Sequence, residues 1–258
     1  MSILVSHNLS VGYKGYAVAS HLNLSLEKGT LTALIGVNGC GKSTLIRTLS
    51  GLQKPLNGKI KIEEQNLNSI SGNKRARLIS HVLTDNDYIR SIKVKDMVAM
   101  GRFPYTDFLG NLGDKDLDII EQAMRKVNIK HKSDSIFYEL SDGERQRALI
   151  AKALAQDTPL VFLDEPTSFL DMRNKIEIMV LLQSIAHNEG KTILLSTHDI
   201  EIALQTSDRI WLMDSDRMTS GTPKDLIDDG KIANAFRSEA FTFDSESCSF
   251  RINNLETF

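Results

Sequence analysis

The stretch Gly36-Val37-Asn38-Gly39-Cys40-Gly41-Lys42-Ser43-Thr44 constrains this chain more than any other. A glycine, four residues and then Gly-Lys-Ser make a loop whose backbone N–H groups turn inward around phosphate oxygens. Lys42 brings positive charge to the β- and γ-phosphates, and the Ser43 hydroxyl is a ligand for Mg²⁺. Such a loop needs a strand before it and a helix after it. Thr30 to Ile35 reads as the strand, and Ser43 to Leu49 reads as the helix, with Gly51 at its C-terminal stop. The helix N-terminus adds its positive dipole end. A plain glycine turn with a surface lysine is the competing reading, and the flanking strand and helix outweigh it. Cys40 reads as a small spacer whose pKa the helix N-terminus and Lys42 both act to lower.

A second chemical element lies at Leu160-Val161-Phe162-Leu163-Asp164-Glu165-Pro166, an apolar strand ending in two acids. Strand ends are often acidic for solubility alone. Beside a phosphate loop at the same sheet edge, however, Asp164 suits Mg²⁺ and Glu165 suits polarising the water that attacks a γ-phosphate. His198 follows a further strand, Thr192 to Ser196, which brings an imidazole to that edge. Leu140-Ser141-Asp142-Gly143-Glu144 reads first as a capping box, with Ser141 at the N-cap and Glu144 three residues on. A capped helix N-terminus also offers N–H donors to a phosphate.

Around these motifs the chain organises itself into β-rich stretches at Ile3 to Leu9, Leu22 to Leu26 and Lys59 to Ile62. Helical periodicity takes over between about 85 and 156, with Leu117, Ile120, Met124 and Val127 on one face. Strands at Leu160 to Leu163 and Thr192 to Ser196, with the helical stretch Asn174 to His187 between them, predict a βαβ unit and a mostly parallel sheet. Arg209 to Met213 and Arg217 to Gly221 predict a closing hairpin, while the last ~30 residues show no clear period. With 31 Lys and Arg against 33 Asp and Glu, the formal net charge is −2, which gives no global case for nucleic acid as a partner. Lys74, Arg75 and Arg77 read as a solvated helix face. No apolar run approaches the ~20 residues that span a bilayer, and the N-terminus lacks the pattern of a secretion signal. Cys40 and Cys248 are expected to be free thiols.

With these elements in this order, residues 1–225 resemble the ATP-binding subunits of ABC transporters. The resemblance implies an α/β fold with a P-loop nucleotide-binding core, an antiparallel β-subdomain and an α-helical subdomain. It implies one ATPase domain over 1–225, with the helical insert at about 85–156, and a C-terminal extension over 226–258. Residues 36–44 match the family's Walker A loop, 140–144 its signature, 160–165 its Walker B, Ser168 to Asp171 its D-loop, and His198 its switch histidine. Tyr13 matches the aromatic residue that stacks on adenine. The implied cofactors are ATP and Mg²⁺. Lys42, Glu165 and His198 take the catalytic roles, Ser43 and Asp164 the metal, and Tyr13, Gly36, Asn38, Gly39, Cys40, Gly41, Lys42, Ser43, Thr44, Ser141 and Gly143 the nucleotide. Ser141 and Gly143 contact ATP held by a second copy, so a head-to-tail homodimer sandwiches two nucleotides. Transmembrane permease subunits and, through them, a substrate-binding protein are the further partners, at the cytoplasmic side of the membrane.

Met97 to Thr106, MVAMGRFPYT, resembles the subgroup that powers import of iron-siderophores, haem and vitamin B12. Two departures from the family pattern stand out. Asp142 and Glu144 replace the third and fifth residues of the usual LSGGQ, adding negative charge near the γ-phosphate. Where the family has a magnesium-sensing glutamine, Thr84 stands, a shorter and weaker ligand beside Asp85. The resemblance also puts a permease helix in a groove here, with Ile89, Ile92 and Val94 as apolar contacts and Arg90 and Arg102 as polar anchors. The alternative is a non-transport ABC ATPase such as an Fe–S assembly component. A binding module without turnover would be expected to lack Glu165 or His198, and both are present.

Overall fold

The computed structural model describes residues 1–13, 15–83, 91–108, 110–214 and 217–253. The chain opens with β1 (Ser2–Tyr13), β2 (Tyr16–Leu22) and β3 (Ser25–Glu27), then enters the core as β4 (Leu31–Gly36) and continues into α1 (Lys42–Leu49). It returns through β5 (Asn57–Ile62) and β6 (Gln65–Asn66) to complete an antiparallel sheet of order β2-β1-β5-β6, with β3 also on β1. After α2 (Gly72–Ala76) and β7 (Ile79–Val82) comes the helical insert of α3 (Val94–Ala99), α4 (Asp114–Lys126) and α5 (Asp142–Ala155). The chain then alternates as β8 (Leu160–Asp164), α6 (Met172–Glu189), β9 (Thr192–Ser196) and α7 (Ile200–Thr206) before β10 (Arg209–Asp214) and β11 (Arg217–Gly221).

The second sheet has the order β11-β10-β4-β9-β8-β7. Its pairings from β10 to β7 are parallel, and β11 is an antiparallel edge. Every residue of β4, β8 and β9 is buried, as expected for parallel strands covered on both faces. The period of two then sorts their side chains into two cores. Ala33, Ile35, Val161, Leu163, Ile193 and Leu195 pack with the helical insert and α6. Leu34, Leu160, Phe162 and Leu194 pack with α1 and the antiparallel sheet. One central sheet thus carries the helical insert and α6 on one side, and α1 with the β-layer on the other.

The α4 stripe is shifted by comparison with its periodicity. Ile120 and Met124 are buried and Val127 lies in the core, but Leu117 is 53% exposed.

The last residues form structure that periodicity did not show: α8 (Pro223–Asp228), α9 (Lys231–Ala235) and a hairpin of β12 (Phe241–Asp244) with β13 (Ser249–Ile252). A boundary at 225 falls inside α8. Phe250 meets Phe236, Phe241 and Phe243 edge-on, at centroid distances of 5.2 to 6.0 Å. Its backbone N–H donates to Glu201 Oε1 on α7 at 2.9 Å, which fastens the hairpin beside the helix that follows His198. No helix among the described residues is long and apolar enough to cross a membrane.

Candidate nucleotide site

The parallel order places the carboxyl ends of β4, β9 and β8 side by side, so the loops that follow them converge. The loop after β4 turns through Gly39 and Gly41, both at positive φ. At Gly41, which caps α1 with φ 105°, a Cβ would lie 2.2 Å from Val18 Cγ1, so glycine alone fits. A hollow of about 330 Å³ is lined by Asn38, Gly39, Gly41, Lys42, Ser43, Thr44, Glu165 and His198. Residues from three strand ends, far apart in sequence, therefore share one concavity.

Lys42 is buried, and its ammonium donates to the carbonyls of Gly36 at 2.9 Å and Val37 at 3.2 Å. Burial pushes its pKa down, against the pull of nearby Cys40, Glu165 and Asp164. Ser43 Oγ donates to Asp164 Oδ1 at 3.0 Å, which joins the two sequence-predicted metal ligands. Ser196 Oγ donates to the same carboxylate oxygen at 2.6 Å and accepts the Glu165 N–H at 3.0 Å. Ser196 was not among the predicted residues. Its signal was a hydroxyl at the end of an otherwise apolar, fully buried strand, where a polar side chain must find partners.

Glu165 leaves the strand in the left-handed region, with φ 50°. This costs an L-residue roughly 1–2 kcal/mol and turns its side chain away from the path of Asp164. The turned carboxylate meets His198 Nε2 at 2.5 Å. Behind this pair, Thr167 donates to Asp199 Oδ2 and Lys175 donates to Asp199 Oδ1, each at 2.6 Å, locking the loop after β8 to the loop after β9.

Other predicted residues lie elsewhere. Tyr13 is half-exposed and lines a separate hollow with Gly12, Arg47, Gln53 and Leu56. Ser141 and Gly143 begin α5, where Ser141 is exposed and Gly143 packs so closely that a Cβ would lie 2.8 Å from Asn174 Oδ1. Thr84, Asp85, Ile89 and Arg90 lie outside the described residues.

Three readings need correction. Cys40 is buried in the core that packs under α1, and desolvation pushes its thiol up despite Lys42, so its contribution to the loop is its backbone rather than a thiol of lowered pKa. Val94 is fully buried in the helical core and Ile92 packs against it, so neither is a free apolar contact for a permease. Arg102 is buried, with its guanidinium on Asp116 at 2.8 Å, on the Ala155 carbonyl at 2.9 Å and over the Tyr105 ring at 3.9 Å. Arg77 is exposed, in keeping with a solvated helix face, and it also bonds the Pro104 carbonyl and stacks on the same ring.

The profile of the family described as ABC transporter matches residues 19–168, more than half of the chain. The chain belongs to the ABC transporter family. Among similar ABC transporter proteins, the achromobactin transport ATP-binding protein CbrD of Dickeya dadantii is 34% identical over 237 residues, covering 92% of this chain and 88% of that one. The ferric enterobactin transport ATP-binding protein FepC of Escherichia coli is 35% identical over 225 residues, covering 87% and 83%. The solved structure of CbiO1 from Clostridium perfringens, part of the ABC transporter complex CbiONQ, superposes with a TM-score of 0.79 at 29% identity, over 90% of this chain and 93% of that one. This ABC transporter subunit is an ATP-binding ATPase, and its mixed α/β architecture is the family's.

Proposed function

We propose that this ABC ATPase powers import of a ferric siderophore or a related metal chelate, working as a head-to-tail homodimer beneath a transmembrane permease at the cytoplasmic face of the membrane. The observation that carries this reading is the convergence of Lys42, Ser43, Asp164, Glu165 and His198 on one hollow, in a chain similar over about nine-tenths of its length to siderophore-transport ATP-binding proteins. A substrate-binding protein would deliver the chelate to the permease.

In this reading the amides of residues 38–44 and the Lys42 ammonium hold the ATP phosphates, and Lys42 exchanges its loop carbonyls for them. The oxygen donors Ser43 Oγ and Asp164 Oδ1 suit Mg²⁺, which prefers hard ligands, and the buried Asp164 already faces its hydroxyl partners. When bound with ATP, Mg²⁺ would neutralise charge on the β- and γ-phosphate oxygens. Glu165 polarises the attacking water, with its carboxylate oriented by His198 and its backbone by Ser196. Tyr13 supports the adenine, and Ser141 and Gly143 approach the γ-phosphate bound by the second copy.

Reconstitution with permease and binding protein tests the proposal. ATP-dependent uptake of a radiolabelled ferric siderophore is expected, and it should disappear with Glu165→Gln. Uptake that persists in that variant, or a complex that hydrolyses ATP without moving any ferric siderophore, haem or cobalamin supplied, would overturn it.

A further inference from the structure

The signature of this chain is LSDGE, and its two acids are not loose negative charges. Asp142 pairs with Arg145 Nη1 at 3.2 Å. Glu144 is held more fully. The Ser141 backbone N–H donates to Glu144 Oε2 at 3.0 Å, and the Ser141 hydroxyl donates to the same oxygen at 3.1 Å. The other oxygen, Oε1, takes Lys132 Nζ at 3.1 Å. These donors hold the Glu144 carboxyl below its ordinary range, the Ser141 backbone bond most of all, so it is an anion at neutral pH.

The functional consequence lies in Ser141. On the reading proposed above, its hydroxyl must donate to a γ-phosphate, yet in the isolated subunit that donor is spent on a carboxylate of its own helix. A carboxylate oxygen and a phosphate oxygen are both anionic acceptors, and one hydroxyl proton serves one of them. We propose that Glu144 is an internal stand-in for the γ-phosphate, which ATP must displace from Ser141 before the dimer closes, and that Lys132 receives the displaced carboxylate. This device rests on the assignment of Ser141 to the nucleotide of the second copy. Lys132 matters because a displaced Glu144 without a cation beside it would face the incoming phosphate as a bare like charge.

Glu144→Gln is a mild probe, since glutamine also closes a capping box and leaves the helix start intact. Lys132→Met removes the cation and keeps the length of the stem. Both are placed in the full-length chain on a Glu165→Gln background, and ATP-dependent dimerisation is followed by analytical ultracentrifugation. Glu144→Gln is expected to lower the ATP concentration for half-dimerisation about 3- to 10-fold, since a charged acceptor gives way to a neutral one. Lys132→Met is expected to raise it about 2- to 5-fold, the range of an exposed ion pair. When Lys132→Met is combined with Glu144→Gln the lysine effect should vanish, which a merely structural lysine would not do. An unchanged or raised requirement in Glu144→Gln, or a lysine effect that persists in the combined variant, overturns the proposal. Ser141→Ala separates the two layers: if it leaves dimerisation at the parent level, the assignment of Ser141 to ATP fails, whereas a loss of dimerisation with no Glu144 effect sinks the stand-in alone.

Discussion

His198 Nε2 lies 2.5 Å from Glu165 Oε1, across 33 residues of sequence, and the contact ties the loop after β9 to the acid that ends β8. Glu165→Gln keeps the shape of the side chain and loses the carboxylate proposed to polarise water, so turnover should fall at least about 100-fold while ATP affinity holds. Phosphate release in a single turnover, alongside equilibrium binding of a fluorescent ATP analogue, reads both. Steady-state hydrolysis near the parent rate would remove Glu165 from the catalytic role.

Ser196 joins both acids through one hydroxyl, which donates to Asp164 and accepts from the Glu165 backbone. Ser196→Ala should leave a partly buried N–H without its acceptor and the buried Asp164 short of a donor, costing about 1–3 kcal/mol of stability, and should lower kcat more than it raises KM for ATP. Thermal unfolding with ATPase kinetics checks this. A variant with parent kcat would reduce Ser196 to packing.

Cys40 and Cys248 offer a chemical contrast. Cys40 is buried with its thiol pushed up by desolvation, whereas Cys248 is partly exposed. A maleimide at pH 8 should label Cys248 first, and Cys40 should label slowly with or without Mg-ATP. Peptide mapping by mass spectrometry gives the rates. Rapid labelling of Cys40 that nucleotide blocks would place the thiol at the phosphates instead.

The chemistry of the site was legible in sequence wherever it was local. Glycine spacing, two acids at a strand end and a histidine after the next strand are all short-range patterns. Ser196 and the Thr167–Asp199–Lys175 tie were not legible, because they exist only once β8 and β9 lie side by side. Val94 and Arg102 are legible in sequence only as apolar and cationic residues of a helical segment, which does not say whether the chain's own core or a partner claims them. The terminal helices are too short to show a period. The alternation of Phe241 and Phe243 with Thr242 and Asp244 is a period-two signal for the hairpin, too short to stand out on its own.

The buried Arg102 pairs with the partly buried Asp116, and its role is structural. Arg102→Ala should destabilise the helical insert by about 1–3 kcal/mol, because the buried Ala155 carbonyl and the partly buried Asp116 carboxylate both lose a donor. The Arg102 guanidinium holds the Asp116 carboxyl below its ordinary value of 3.8, so the folded pKa is depressed. That contribution is complete above pH 3.8 and is lost as the pH falls through the lower folded value. Urea denaturation of parent and variant from pH 7 down to 3 should show the gap closing at the acid end. A gap that widens there would contradict the pairing.

The left-handed turn at Glu165 has an implication for how the two neighbouring acids differ. Asp164 is still strand, buried and aimed at Ser43, and one peptide later the chain has turned away. The division of labour is therefore written in the backbone rather than in the carboxyl groups. Transposing the pair, with glutamate at 164 and aspartate at 165, would conserve net charge, hydropathy and atom count. It would nonetheless push one carboxylate a methylene too far into a filled space and pull the other a methylene short of His198. Two sequences identical in composition would thus fold alike, and only one would turn over.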